Sequence, residues 1–143
     1  MSIFKAYDIR GIYPKELDEK FAFLIGQASA RKFTCPRRGQ RGRRESGVFV
    51  VGYDIRLSSK KLLSAFLEGL EKESKNLKKK FSVKNIGLST SPMFYYSVNN
   101  LKASGGAMTT ASHNPAEYGG FKIVGPKAEM VSGKEIEELV CKL

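Results

Sequence analysis

Residues 109–122 read TTASHNPAEYGGFK: small and hydroxyl-bearing residues, a Ser112-His113 pair, the turn former Asn114-Pro115, two glycines and Lys122. Gly105 to Thr110, on its amino side, reads as a strand that feeds this segment, and Phe121 to Val124 reads as a further short strand. Ser112 is thereby placed just past a strand's carboxyl end, where open α/β sheets gather ligands. Adjacent side chains of an extended chain point in different directions, which makes His113 a poor general base for Ser112. There is no G-x-S-x-G elbow, and the chain has a single histidine. A Ser-His hydrolase is excluded on that inventory. A plain turn from Ser112 to Pro115 remains open, since Ser, Asn and Pro are all turn formers.

Outward from this segment, glycine and proline punctuate an alternation of strands and helices. A short strand runs from Phe4 to Ile9, closed by Arg10-Gly11. Asp18 is a good N-cap for a helix to about Phe33, with Phe21, Leu24, Ile25 and Ala28 on one face. Thr34 to Gly47 (TCPRRGQRGRRESG) is polar and reads as a loop, with Thr34 to Ser46 too poor in apolar periodicity to offset its ordering entropy. Val48 to Gly52 is the continuous apolar run of a buried strand. Ser58 or Ser59 caps a helix bearing Leu62, Leu63, Phe66, Leu67 and Leu70. A strand near Val83 to Leu88 follows, then a helix from Pro92, a favoured first helical residue. Ser132-Gly133-Lys134-Glu135 has capping-box spacing ahead of Ile136, Leu139 and Val140. The alternation predicts an α/β domain: three layers, α/β/α, around a mixed, mainly parallel sheet.

At 143 residues the chain is long enough for one domain with its own core. Its start shows no apolar signal segment, and Phe21 to Ala30 is too short to span a bilayer. Cys35 and Cys141 form neither a disulfide framework nor a metal pattern. A soluble, reducing, cytoplasmic setting is the simplest expectation. The net charge of +11 is concentrated in two places. Seven basic residues lie between Arg31 and Gly47 against Glu45, and six lysines between Lys72 and Lys84 against Glu73. Such clusters displace counterions from phosphates, so a basic α/β module binding nucleic acid or another polyanion is one reading. A solvated loop and the wet end of a helix is the other. The Arg run carries no interleaved aromatics and no zinc, RRM or KH signature, which makes nucleic acid the less favoured partner.

Four motifs give the chain a family resemblance. Thr110 to Pro115 (TASHNP) resembles the phosphoserine loop of the α-D-phosphohexomutases, the family of phosphomannomutase and phosphoglucomutase. Phe4 to Gly11 (FKAYDIRG) is similar to that family's F-x-x-Y-D-I-R-G start. Val51 to Ser58 (VGYDIRLS) is similar to its V-G-x-D-x-R-x-S segment. Gly87 to Pro92 (GLSTSP) resembles its G-x-x-x-T-P segment, with Ser91 in place of Thr. Gly119 departs from the family's usual Asn before Gly120-Phe121-Lys122. The motifs occur in the family's order, and only Thr34 to Ser46 lies outside the resemblance.

The resemblance implies the first of four domains of an enzyme that interconverts hexose 6-phosphate and hexose 1-phosphate through a hexose 1,6-bisphosphate, which also serves as activator. It assigns Ser112 as the phosphoserine and places Arg10 and Lys122 beside the transferred phosphoryl group. His113, Asn114 and Tyr7 fall in the substrate and phosphate loops, with a structural role open for His113. Tyr7 and Asp8 are expected to hold the Arg10 turn, Asp54 and Arg56 to pair near the site, and Gly119 and Gly120 to let backbone approach the phosphate. Magnesium is implied with Ser112 as a ligand through its phosphate. The other metal ligands, the sugar-reading loop and the phosphate clamp belong to domains II–IV, which residues 1–143 do not contain. The expected partners are therefore a hexose phosphate and the remaining domains of the same polypeptide, with no membrane. By itself the chain is expected to fold without catalysing.

Overall fold

The computed structural model describes residues 3–34 and 47–143. Strand β1 (Ile9–Ile12) leads to helix α1 (Glu19–Thr34), β2 (Val48–Tyr53), α2 (Ser59–Asn76) and β3 (Ser82–Leu88). Then come α3 (Ser91–Asn100), β4 (Gly105–Thr109), β5 (Tyr118–Val124), a 3-10 turn (Pro126–Ala128) and α4 (Gly133–Val140). The five strands form one sheet in the order β1-β5-β4-β2-β3. β4, β2 and β3 pair in parallel, whereas β5 runs antiparallel to both β4 and β1. Four of the five strands therefore share a direction, the mixed, mainly parallel sheet expected from the alternation of elements.

Two apolar clusters cover the two faces. On one, Ile25, Phe33, Leu62, Phe66 and Leu70 of α1 and α2 meet Phe49, Phe121 and Ile123 of the sheet, with Ile136 of α4 alongside. On the other, Phe94 and Val98 of α3 pack on Val50, Met108 and Val124. Three layers result because each helix has one apolar stripe and the sheet has two apolar faces. Helices α1 and α2 cross at a pair of glycines. A Cβ on Gly26 would strike the Phe66 carbonyl, and one on Gly69 the Phe23 carbonyl. Only a residue without a side chain lets two helix backbones approach so closely.

That crossing corrects the expected face of α1. Its buried residues are Ala22, Ile25, Gly26, Ala28, Ser29, Ala30 and Phe33, while Phe21 is exposed and Leu24 only half-buried. Ile25 and Ala28 are buried as expected, but small residues rather than Phe21 and Leu24 fill the rest because the backbones are so near. Three boundaries also move. The first strand begins at Ile9 rather than ending there, and Phe4 contributes only an isolated bridge to Ile9. α3 opens at Ser91, one residue before Pro92, with Thr90 as its cap. Thr34 belongs to α1, its hydroxyl donating to the Ala30 carbonyl at 2.7 Å. The rest of the expected loop, 35–46, lies outside the described residues.

The caps at Asp18 and Ser132 follow the sequence. Asp18 Oδ1 accepts from the Phe21 amide at 2.9 Å, and Ser132 Oγ from that of Glu135 at 3.2 Å. The Glu135 carboxylate is engaged by Lys32, tying α4 to α1. Arg31 supports the same junction, pairing with Glu73 at 2.6 Å and donating to the Lys142 carbonyl at 2.8 Å. Among the described residues no helix is long and apolar enough to cross a membrane. All six lysines between Lys72 and Lys84 are exposed.

Candidate functional site

The connections that leave the carboxyl ends of β2, β3 and β4 converge on one side of the sheet. They line a cleft of about 840 Å³ whose wall includes Arg56, Leu57, Leu88, Thr90 and Ser112. This is the position that parallel strands reserve for a ligand, because their connections diverge there and leave backbone groups facing outward. The amino end of α3, capped by the Thr90 hydroxyl, opens on the same cleft. Its unpaired N–H groups favour negative charge nearby.

Ser112 sits half-buried at the lip with φ of 53°, in the left-handed region. For a residue with a Cβ that conformation costs about 1–2 kcal/mol, and it persists where the surroundings over-determine it. Two hydrogen bonds bracket the residue. Its amide donates to Thr110 Oγ1 at 3.0 Å, and its carbonyl accepts from Arg56 Nη2 at 2.9 Å.

Arg56 does far more than pair with Asp54. Nη2 also donates to the Asn114 carbonyl at 2.6 Å, and Nη1 donates to those of Pro115 and Tyr118 at 2.6 and 3.1 Å. Nε faces Asp54 Oδ2 at 3.2 Å. The other oxygen of Asp54 accepts from Ser59 Oγ at 2.5 Å and from the Arg56 amide at 3.0 Å. Ser59 thus spends its hydroxyl on Asp54, and Ser58, the N-cap of α2 by position, makes no side-chain cap bond. Both expected partners, Asp54 and Arg56, are where the sequence placed them. That Arg56 reaches four carbonyls was invisible, because carbonyl acceptors carry no residue signature.

Arg10 projects from β1. Its Nη1 donates to Asn114 Oδ1 at 2.7 Å and its Nη2 pairs with Asp8 Oδ2 at 2.5 Å, so strand β1 is fastened to the serine loop. Its Nε is buried and has no hydrogen-bond partner among the described residues. Asp8 also holds the turn through its carbonyl, which accepts from the Lys5 amide at 2.8 Å. Tyr7 is 68% exposed and makes no such bond with a described residue; it lines a second hollow of about 550 Å³ with Lys5, Arg10 and Asn114. Asn114 lines both hollows and separates them.

Lys122 faces the same side of the sheet as Arg10. Arg10 is paired with Gly120, and residues 120 and 122 share a face of β5, so the two cations are diagonal neighbours on adjacent strands. Lys122 is half-buried opposite Met108 and makes no ion pair with a described residue. His113 is exposed and lines neither hollow. Gly119 and Gly120 serve packing within the domain. A Cβ at Gly119 would lie 2.7 Å from the tip of Leu62, and one at Gly120 would lie 2.7 Å from the Thr110 carbonyl. Ser112, Asn114 and Arg10 are thus brought together, Lys122 lies alongside, and His113 and Tyr7 stand at the margins.

No group of three or more His, Cys, Asp or Glu side chains among the described residues could hold a metal ion. Asp8 and Asp54 are already committed to Arg10 and Arg56, and Glu117, exposed in the loop, lines neither hollow. Toward a divalent cation these residues offer the Ser112 oxygen, bare or phosphorylated, and little else.

Comparison with known proteins gives a consistent picture. The family model described as phosphoglucomutase/phosphomannomutase, alpha/beta/alpha domain I, matches residues 1–142. The chain is 39% identical over 139 residues to a phosphomannomutase of Methanocaldococcus jannaschii, covering 97% of this chain and 26% of that protein. A phosphoglucomutase of Neisseria gonorrhoeae is 37% identical over 140 residues, 96% of this chain and 27% of the relative. The crystal structure of a phosphoglucomutase/phosphomannomutase family protein from Burkholderia thailandensis matches at a TM-score of 0.75 and 31% identity, over 98% of this chain and 29% of that one. The chain spans about a quarter of the length of these relatives.

Proposed function

This chain belongs to the phosphoglucomutase/phosphomannomutase family as its α/β/α domain I, and from that footing we propose that Ser112 is the phosphoryl carrier of a hexose-phosphate mutase. The observation that carries the reading is the built conformation of Ser112. A non-glycine residue is held left-handed at the mouth of a cleft, between a hydroxyl on its amide and a guanidinium on its carbonyl.

The reaction balances without a further co-reactant. The phosphoserine gives its phosphoryl group to a hydroxyl of a hexose monophosphate. The serine P–O bond breaks as the sugar P–O bond forms, and the hydroxyl proton ends on the serine oxygen. The resulting hexose 1,6-bisphosphate turns over and returns its other phosphoryl group to Ser112, leaving the isomeric monophosphate. A phosphoserine carries about −1.5 to −2 charges, and Arg10 and Lys122, on the face that leads to the loop, supply compensating charge. Phosphoryl transfer is mostly positioning and electrostatic stabilisation, so a strong base beside Ser112 is not needed. Magnesium, held through the Ser112 phosphate with its remaining ligands outside these 143 residues, supplies further charge neutralisation when bound. The hexose and its distal phosphate are read by the rest of the polypeptide. The mutase activity is therefore a property of the whole protein, and the 143-residue piece alone should show no turnover in a coupled mutase assay.

The test is transfer to the serine itself. Full-length protein is incubated with glucose 1,6-bisphosphate and analysed by intact mass and peptide mapping, beside Ser112→Ala. One phosphate on Ser112 of the wild type and none on the variant is the expected result. Label that persists in Ser112→Ala overturns the assignment.

A further inference from the structure

We propose that Arg56 is the positioning residue of the serine loop, setting the orientation of Ser112 for phosphoryl transfer without touching the phosphoryl group. The role rests on the reading of Ser112 as the phosphoryl carrier. It follows from a count of donors. A guanidinium has five N–H groups and no acceptor, and here the two terminal nitrogens meet the carbonyls of Ser112, Asn114, Pro115 and Tyr118 while Nε meets Asp54. The terminal nitrogens donate to four carbonyls, and Nε faces the Asp54 carboxylate. No N–H is left for a phosphate oxygen, although Arg56 lines the same cleft as Ser112.

The geometry also says why this residue must be arginine. Four carbonyls from residues 112–118 converge on one planar fork, whereas the ammonium of lysine is a single point with three donors. The side chain is 12% exposed, so the bonds it makes are little weakened by competing water. Asp54 orients the fork through Nε and is itself fixed by Ser59 at the first turn of α2. The path of control runs from helix α2 through Asp54 and Arg56 to the Ser112 carbonyl. Drawing the loop's carbonyls inward leaves the amide of His113, next to the nucleophile, without a partner among the described residues. That N–H remains available to an anion.

Arg10 presents a contrast that sharpens the assignment. Its two terminal nitrogens meet only Asn114 and Asp8 among the described residues, so of their four N–H groups two remain for a ligand. Arg56 retains none. The two arginines therefore differ in kind, one able to bind phosphate and one acting only through Ser112.

The experiment compares full-length wild type with Arg56→Lys and Asp54→Asn, using glucose 1,6-bisphosphate as phosphoryl donor. Folding is followed by circular dichroism melts, label on Ser112 by mass, and mutase turnover across pH. Misplacing a reacting group by about an ångström costs on the order of 100-fold in rate. Arg56→Lys should therefore slow phosphorylation of Ser112 and kcat together by roughly 10- to 100-fold, with KM and the shape of the pH profile unchanged. Asp54→Asn should lose less, about threefold to tenfold, because the fork stays but its orienting charge is gone. Should the lysine variant fail to fold, Asp54→Asn carries the decision. Wild-type rates in a folded variant overturn the role, as does a rise in KM at constant kcat or a shifted pH profile, either of which would mean direct contact with substrate charge. Absence of label on wild-type Ser112 overturns the functional reading and this role with it; label on the wild type with equal rates in the variants overturns the role alone.

Discussion

Behind the sheet, the ring of Phe66 lies 5.4 Å from that of Phe121 and 6.3 Å from that of Phe49, and all three are fully buried. In front of the strands' carboxyl ends, the Arg56 guanidinium meets four carbonyls and a carboxylate. The first region is held by apolar contact, which is non-directional and summed over many atoms. The second is held by a few directional bonds around a residue in a disfavoured conformation. Apolar packing can absorb a small error by repacking, but its loss lowers the stability of the whole domain. A polar fork also contributes to stability, but its loss is felt first as geometry at one atom. The helix side should therefore respond to substitution in melting temperature and the loop end in rate.

The largest effect that can break this contrast is Phe66→Ala. The side chain is fully buried between α2 and the sheet, and removing it should cost about 3–5 kcal/mol. For a domain of this size the melting temperature should fall by roughly 10 °C or more. In the full-length protein, assayed well below that transition, turnover per folded molecule should stay near wild type. A large loss of rate in the folded variant would mean that core and loop are not separable.

Next in size is Arg31→Ala, which tests a buried carboxylate on the helix side. Glu73 is 4% exposed and accepts from Arg31 Nε at 2.6 Å, from Asn76 and from Gln27. Burial raises its pKa, but the bonds from Arg31, Asn76 and Gln27 together outweigh burial and hold it below the ordinary glutamate value of 4.5. A carboxyl with a lowered folded pKa stabilises the fold above its unfolded pKa. That contribution is lost as pH falls through the folded value. Arg31→Ala should cost about 2–4 kcal/mol near neutral pH, since the Glu73 charge stays buried with weaker partners and the link to Lys142 goes too. Melting curves from pH 7 to pH 3 should show the gap between wild type and variant closing on acidification, as Glu73 takes up a proton in both. A gap that is constant with pH would show that the helix side gains nothing from this charge.

At the loop end, Thr110→Val replaces the hydroxyl that accepts from the Ser112 amide with a methyl of similar size. Thr110 is 5% exposed, so water does not readily take the hydroxyl's place. Phosphorylation of Ser112 in the full-length protein should slow about tenfold, equivalent to ~1.4 kcal/mol in the barrier. Stability should change by only about 1 kcal/mol, the ordinary net value of one hydrogen bond. A fall in melting temperature as large as that of Arg31→Ala, with rate intact, would reverse the contrast.

The same division separates what could be read in the sequence from what could not. Val48 to Gly52, the Asp18 and Ser132 caps, and the strand ahead of Ser112 were legible because apolar runs and capping side chains act locally. The buried face of α1 was legible only in part: Ile25 and Ala28 are buried as expected, but Phe21 is exposed, and the close approach of α2 favours small residues such as Gly26. Within the site, Ser112, Asn114 and Arg10 could be placed from motifs, and the sheet register of β1, β5 and β4 joins them. The reach of Arg56 was hidden for a physical reason: its partners are main-chain oxygens, identical at every residue, selected by a loop conformation that exists only once the fold does.

The smallest effect is the sharpest control. Asp18 Oδ1 accepts from the Phe21 amide at the start of α1, on the side of the molecule where packing dominates, yet it is itself a directional polar bond. If polar character alone decided whether a residue governs rate, Asp18→Ala would slow turnover as Thr110→Val does. If location decides, it should cost about 1 kcal/mol of stability, the usual loss for an N-cap, and leave the rate of Ser112 phosphorylation unchanged. Location should decide, because the cap satisfies an amide that points along α1, whereas the Thr110 bond fixes the backbone of the nucleophile itself. Denaturant melts of wild type and Asp18→Ala, run beside the labelling assay on Ser112, measure both quantities on the same preparations. A rate loss without a stability loss would show that the start of α1 communicates with the serine loop, along the path through Tyr13, which donates to Glu19 at 2.6 Å and whose amide donates to the Glu117 carbonyl at 2.8 Å. That path exists, but it reaches the loop at the Glu117 carbonyl, between those of Pro115 and Tyr118, which Arg56 already holds.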